Sequence, residues 1–149
     1  MQPPDADVVL VRHGEIGVKS DQVRRKMEGQ LADNLRAMLD ARDLSGNIEQ
    51  RRNRLFVHTD QPEGVTAAAA DTFGVTSASA VTTVGPTLSA IEDALAATAR
   101  EQYDGGAFAV NARRAGPAET HSFSSTDIES NGGTAVWEAI EKLGDEPAV

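Results

Sequence analysis

The order of strand and helix patterns before Gly85-Pro86 limits the folds open to this chain more than any other feature of its sequence. Four stretches have the composition of strands: residues 8–11, 48–50, 55–59 and 78–84. Two stretches have the composition of helices: residues 20–42 and 62–71. Ser20 suits an N-cap and Pro62 suits a first helical turn. The predicted order is therefore strand, helix, strand, strand, helix, strand.

The first and longer helix is predicted from an apolar stripe at helical spacing. The stripe contains Val23, Met27, Leu31, Leu35, Met38 and Leu39. The charged residues Arg24, Arg25, Glu28, Asp33 and Arg36 fall largely off that stripe. A helix with one apolar side can cover one face of a small sheet. The βαββαβ order then predicts an α+β protein that begins with a ferredoxin-like domain.

Gly85-Pro86 is a pair of helix- and strand-breaking residues directly after this complete unit. It predicts two domains, residues 1–85 and residues 86–149. The second is predicted to hold a helix over residues 87–103 with Leu88, Ile91, Leu95 and Ala99 inward, a strand over residues 107–112, and a last helix. Thr126 and Glu129 fit a capping box for that last helix, and Ile128, Val136, Ile140 and Leu143 fit its buried side. These elements do not complete a sheet, so a truncated α/β domain is expected.

Composition limits the chemistry. The 149 residues include no cysteine, which excludes disulfides, persulfides and thiolate metal sites within them. The formal net charge is -9. The composition, with 11 arginines, 3 lysines and abundant Asp, Glu and Ala, resembles that of proteins from salt-accumulating halophiles. At molar salt the Debye length is only about 3 Å, so overall acidity does not exclude a phosphate ligand that is held by close arginine contacts.

The N-terminal residues Pro3, Pro4, Asp5 and Asp7 do not suit a signal peptide. No apolar run reaches the length of a membrane span. The expectation is a cytoplasmic protein.

One candidate phosphate site lies in the loop before the last helix. Arg113 and Arg114 can present planar guanidinium groups to phosphate oxygens, and Ser124 and Ser125 open a helix whose N–H groups favour an anion. The alternative is a solvated strand end followed by an ordinary helix cap.

A second candidate surface lies in the first domain. Lys19, Arg24 and the turn arginines Arg51, Arg52 and Arg54 could share one edge. The alternative is a set of solvated charges, with Arg24 paired to Glu28 at i,i+4.

Two motifs carry a family resemblance. The first is Arg12-His13-Gly14-Glu15-Ile16 with Lys19, and the second is Arg113-Arg114 followed by His121, Phe123-Ser124-Ser125 and Asp127. In this order they resemble the N-terminal part of tRNA 4-thiouridine sulfurtransferases, a family also linked to thiamine biosynthesis. The resemblance implies that the second domain is a THUMP domain, C-terminally truncated here, which clamps the single-stranded 3′ end of tRNA. Asn111 departs from the basic residue common in the family, and Asn131 departs from an apolar one.

The two candidate surfaces and the family resemblance together predict ten residues that contact RNA: Lys19, Arg24, Arg52, Arg54, Arg113, Arg114, His121, Ser124, Ser125 and Asp127. In the resembled family a further domain adenylates uridine eight of tRNA with ATP and Mg, and a sulfur-carrier protein supplies sulfur. The sequence has no glycine-rich nucleotide loop, so no catalytic, ATP-binding or metal-binding residue is expected within it. Members of the family tend to pair, which makes a homodimer a further expectation.

Two other functions remain open from the sequence. Arg12-His13-Gly14-Glu15 also resembles the histidine phosphatases, in which His13 would attack phosphorus and Arg12 would bind its oxygens. Lys19 stands where that family prefers Asn, and His121 is followed by Ser122 where a second His-Gly turn is expected. The remaining alternative is a non-catalytic dimerisation module, in which a partner strand completes the exposed edge of the second sheet.

Overall fold

The structure is a computed structural model that describes residues 2–14, 20–51, 54–113 and 123–144. The chain divides into two compact units, Met1–Thr83 (unit 1) and Val84–Val149 (unit 2). Unit 1 contains β1 (Val8–His13), α1 (Asp21–Ala41), β2 (Asn47–Arg51), β3 (Arg54–His58), α2 (Pro62–Ala70) and β4 (Val75–Val81). Unit 2 contains α3 (Leu88–Gln102) and α4 (Ser125–Lys142).

Unit 1 has the predicted ferredoxin-like fold. Its four strands form one antiparallel sheet in the order β2-β3-β1-β4. The two central strands contribute alternate residues to a core under the helices, with Val9 and Val11 of β1 beside Leu55 and Val57 of β3. The other face of these strands therefore carries Leu10, Arg12 and their partners.

The predicted start of α1 is confirmed, because the Ser20 side chain accepts a hydrogen bond from the Val23 N–H. Its buried side differs from the predicted stripe. Val23 and Met27 are 42% and 43% exposed, whereas Glu28, predicted off the stripe, is buried. The core cluster includes residues of α1 only from Leu31 onward, so the first turns of the helix extend beyond the packed core.

The last strand of the sheet begins and ends three residues earlier than predicted. β4 pairs with β1 from His13↔Val75 to Val8↔Val81, so the length of β1 sets the length of β4. Thr82 and Thr83 bond instead to the N-terminal segment, through Pro4 and Asp7.

In unit 2, α3 begins after an N-cap at Thr87 as its composition predicts, but none of its residues is fully buried. The strand predicted over residues 107–112 does not form a ladder. Only Ala107 makes a strand-type bridge, although the segment is extended enough that Phe108, Val110 and Ala112 are half-buried between exposed neighbours. Within the described part of unit 2 there is no strand beside this segment with which it could pair.

The capping box of α4 is formed by Ser124 and Asp127, and not by the predicted pair Thr126 and Glu129. Val136 and Ile140 are buried as predicted, together with Gly132 and Ala139, while Ile128 is half-buried. Leu143 was predicted inward but is 47% exposed, because the helix ends at Lys142. Among the described residues, no helix combines the length and the apolarity needed to cross a bilayer.

Candidate nucleic-acid interface

Residues 107–113 of unit 2 form an extended segment that is held against α4. The ring of Phe108 lies 6.3 Å from that of Trp137, and the Ala112 N–H donates to Glu129 Oε2 at 3.3 Å. A Cβ on Gly132 would lie 2.6 Å from Leu95 Cδ1 and 3.4 Å from Val110 Cγ1, so glycine permits this close packing. Arg113 follows the anchored Ala112 and is exposed.

The N-terminus of α4 is occupied by its own capping box. The Ser124 N–H donates to Asp127 Oδ2 at 2.8 Å, and the Asp127 N–H donates to Ser124 Oγ at 3.1 Å. The carboxylate of Asp127 thus supplies the negative charge that the start of a helix favours. Ser125 is half-buried. Among the described residues of this site, Arg113 therefore carries the positive charge that suits a phosphate.

Arg114 and His121 lie outside the described residues, as do Lys19 and Arg52 of the other candidate surface. Arg24 is described, and its guanidinium is engaged. It contacts Asp21, and its Nε lies 3.8 Å from Glu28 Oε1. The i,i+4 pair that the sequence offered as an alternative is therefore present.

Arg54 lies on the face of the sheet that the helices leave uncovered. It pairs in register with Arg12 of β1 and with Arg51 of β2. The Arg12 guanidinium donates to Ser77 Oγ and Ser79 Oγ of β4, both at 3.3 Å. Three arginines therefore cross one end of this face, and the sequence had assigned Arg12 to a different role. Only the strand register, which the composition does not reveal, brings Arg12 to Arg54.

At a distance of two positions from the Arg12–Arg54 pair, Leu10 pairs with Phe56 on the same face. Farther along, Glu49 Oε2 lies 2.9 Å from His58 Nε2, and Glu49 also bonds the Arg51 side chain. His58, and then Arg51, lower the pKa of Glu49 below its usual value. Glu49 thus offsets the charge of Arg51, whereas Arg12 and Arg54 make no ion pair among the described residues.

His13 is poorly placed to act as a nucleophile. Its side chain is only 4% exposed, and its Nδ1 lies 3.1 Å from the Gly14 carbonyl oxygen. Its Nε2 faces Glu28 Oε1 at 4.0 Å and makes no hydrogen bond. A histidine that attacks phosphorus needs a nitrogen that the substrate can reach, so the geometry does not favour the phosphatase alternative.

Comparison with known proteins agrees with this fold. Residues 8–79 match the ThiI ferredoxin-like domain family. Over 95% of its length the chain is 55% identical to a probable tRNA sulfurtransferase of Halobacterium salinarum, and over 97% it is 38% identical to one of Methanosarcina mazei. It spans 35% of the length of each of these relatives.

Two solved structures have a similar fold. PH1313 from Pyrococcus horikoshii superposes with a TM-score of 0.78 at 29% identity, over 96% of this chain and 46% of that chain. A 4-thiouridine synthetase, solved as an RNA complex with bound ATP, superposes with a TM-score of 0.76 at 18% identity, over 97% of this chain and 36% of that chain.

Proposed function

We propose that this chain, whose residues 8–79 belong to the ThiI ferredoxin-like domain family, is the tRNA-binding part of a tRNA sulfurtransferase. The observation that carries the proposal is the 55% identity to a protein of that description over 95% of the chain, which includes both units. RNA is the ligand of the similarly folded 4-thiouridine synthetase, which supports the same class of ligand here.

Unit 2 is proposed to act as a THUMP domain that clamps the single-stranded 3′ end of tRNA. The support is Arg113, which is exposed and makes no ion pair among the described residues. The backbone before it is fixed to α4 by the Ala112–Glu129 hydrogen bond and by the contact of Phe108 with Trp137. A guanidinium on a fixed backbone loses less freedom when it binds a phosphate, which favours the contact.

The chemistry of sulfur transfer is proposed to lie outside these 149 residues. They contain no cysteine and no glycine-rich nucleotide loop, so neither a persulfide nor ATP with Mg is assigned to any of them. In this proposal the relatives' additional length supplies 4-thiouridine formation at position 8, with a sulfur-carrier protein as partner. A homodimer and a link to thiamine biosynthesis belong to the same proposal.

The net charge of -9 shapes how such a chain would hold RNA. The net charge does not attract RNA over long distances, so binding is proposed to depend on arginines that touch phosphate directly. Such contacts keep part of their strength in concentrated salt, because a charged hydrogen bond acts over less than the Debye length of about 3 Å at 1 M. A halophilic, cytoplasmic setting fits this mode of binding.

The test compares a fluorescently labelled tRNA with the same tRNA trimmed of its 3′ single-stranded end, by anisotropy with the 149-residue chain. The variant Arg113→Ala removes the proposed phosphate contact. Arg100→Ala is the matched control, because Arg100 is also exposed and also lacks an ion pair among the described residues of unit 2.

We expect trimming to abolish most of the binding and Arg113→Ala to weaken it roughly tenfold or more, since a charged hydrogen bond contributes about 1.5–3 kcal/mol. Arg100→Ala should leave the Kd unchanged. No binding of either RNA at any salt concentration would contradict the proposal. Equal binding of both RNAs would contradict the 3′-end assignment alone.

A further inference from the structure

The first turns of α1 and the turn before β4 expose large apolar side chains in unit 1. Phe73 is 91% exposed, and Val23 and Met27 of α1 are also exposed. An aromatic side chain in water forgoes most of the stabilisation that burial would provide. Contiguous exposed apolar surface marks sites that bind a partner or a ligand.

Phe73 and Met27 line a cleft with a volume of about 230 Å³. The cleft lies where β1 ends and β4 is about to begin, and Leu31 of the core forms part of its wall. Gly74 is required here. Its φ is +97°, and a Cβ would lie 3.2 Å from Leu31 Cδ1, so a larger residue would both strain the backbone and narrow the cleft.

Two amide side chains are among the residues that line the otherwise apolar cleft. Gln30 and Asn34 lie one helical turn apart on α1, and Gln30 Nε2 donates to Asn34 Oδ1 at 3.0 Å. This bond leaves an acceptor on Gln30 and a donor on Asn34 with no other hydrogen bond among the described residues. Lys26, one turn before Gln30, is exposed and makes no ion pair there.

His13 contributes a buried polar side chain to the wall of the cleft. It lines the cleft, its side chain is more than nine-tenths buried, and its Nε2 makes no hydrogen bond. Glu28 Oε1, 4.0 Å away, also makes none. Most buried polar atoms in folded proteins have partners, and the exceptions concentrate where function requires them.

From this arrangement we infer that the cleft beside Phe73 binds one nucleobase of a single-stranded stretch of RNA. A base has an apolar face that can stack on Phe73 and a polar edge that can pair with the Gln30–Asn34 amides. Lys26 is placed to reach the adjoining phosphate. An aliphatic side chain alone would fill the apolar part but would offer the two amides neither a donor nor an acceptor.

The inference rests on the proposed function, since it assumes that the chain binds RNA, and it adds a base-stacking site in unit 1 to the phosphate contact proposed for unit 2. Its test uses the same labelled tRNA and the same 149-residue chain. Phe73→Ala removes the stacking surface, and Phe73→Trp keeps it. Leu143→Ala is the control, because Leu143 is another exposed apolar residue, on unit 2.

We expect Phe73→Ala to raise the Kd roughly 5- to 150-fold, the range that removal of one stacked aromatic produces. Phe73→Trp should restore binding to about the wild-type Kd, because indole also stacks on bases. Leu143→Ala should have no effect. Thermal unfolding should be unchanged in all three, since each side chain is exposed.

If wild-type chain binds tRNA and Phe73→Ala binds it equally well, the inference is overturned while the proposed function stands. A loss of affinity that Phe73→Trp fails to rescue would also overturn it, because the loss would then not come from the removal of a stacking surface. If the wild-type chain binds no RNA, both proposals fail together.

Discussion

Unit 1 and unit 2 bury their apolar residues in different ways. In unit 1, 11 buried residues from β1, α1, β3 and α2 form one cluster between a sheet and two helices. In unit 2, the buried residues among 84–113 and 123–144 all belong to α4, and α3 is at most half-buried. A four-stranded sheet with helices on one face closes a core, whereas two helices and one extended segment leave much of each helix in water.

This difference determines which substitutions should destabilise each unit most. Unit 1 depends on the volume of single side chains, because its core is closed and any gap stays inside it. Unit 2 depends on how closely α3 and the segment 107–113 approach α4, which Gly132 controls. Both units nevertheless expose the groups that are proposed to bind RNA, Phe73 in one and Arg113 in the other.

The largest expected effect comes from the core of unit 1. Leu35 is fully buried, so Leu35→Ala should lower the free energy of unfolding by about 2–5 kcal/mol. Leu95→Ala in α3 should cost clearly less, because Leu95 is half-buried and the space it leaves can fill with water or neighbouring atoms. Urea unfolding by far-UV circular dichroism measures the first, and fluorescence of Trp137, the only tryptophan, measures the second. Equal losses would contradict the contrast between the two units.

Substitution of two adjacent glycines in α4 should change stability by a smaller amount and tests the packing of unit 2. Nothing lies within 4 Å of a Cβ added to Gly133, so Gly133→Ala should stabilise the helix by about 0.8–1 kcal/mol. Gly132→Ala should lose part of this gain, because its Cβ would lie 2.6 Å from Leu95 Cδ1 and 3.4 Å from Val110 Cγ1, so these side chains would have to move. Thermal unfolding of both variants checks the prediction. A Gly132→Ala variant as stable as Gly133→Ala would show that Leu95 and Val110 can move without cost.

The smallest expected effect concerns Glu49 on the open face of the sheet. Interaction with His58, and then with Arg51, lowers the pKa of Glu49 below 4.5, so the interaction stabilises the folded chain above that pH and is lost as the pH falls through the lower folded-state pKa. Glu49→Gln should therefore lower the unfolding midpoint slightly at neutral pH and should match wild type in strong acid. Glu138→Gln, at an exposed site with no ion pair in the described part of the chain, is the control. A difference in unfolding midpoint between Glu49→Gln and wild type that stays the same at all pH values would contradict a stabilising role of the ionised Glu49 carboxylate.

The sequence predicted the topology of unit 1 because its turns, caps and strand patterns are local signals. Ser20 and Pro62 mark helix starts through their own side chains and rings, and the structure places both there. The length of β4 was mispredicted because pairing with β1, a contact between distant residues, determines it. The strand over residues 107–112 was mispredicted for the same reason, since a strand also needs a partner.

The candidate site was predictable only in part. Helical spacing placed Val23 and Met27 on the same stripe as Leu31, but spacing does not reveal where along that stripe the core ends. Phe73 lies in the turn Asp71-Thr72-Phe73-Gly74 after a short helix, and a turn position does not by itself reveal whether an aromatic side chain is exposed. The capping box lies two residues earlier than predicted because the helix is capped at Ser124, which makes Asp127 its N3 residue. Glu129 instead accepts a hydrogen bond from the Ala112 N–H.

The most direct test of the account is the slope of log Kd against log KCl concentration for tRNA, measured from about 0.2 M to about 1 M for wild type, Arg113→Ala and Phe73→Ala. Arg113→Ala should reduce the slope by about one phosphate contact, whereas Phe73→Ala should raise the Kd and leave the slope unchanged. This result would establish a phosphate contact in unit 2 and a base contact in unit 1. Identical Kd values and slopes for all three proteins would contradict the account.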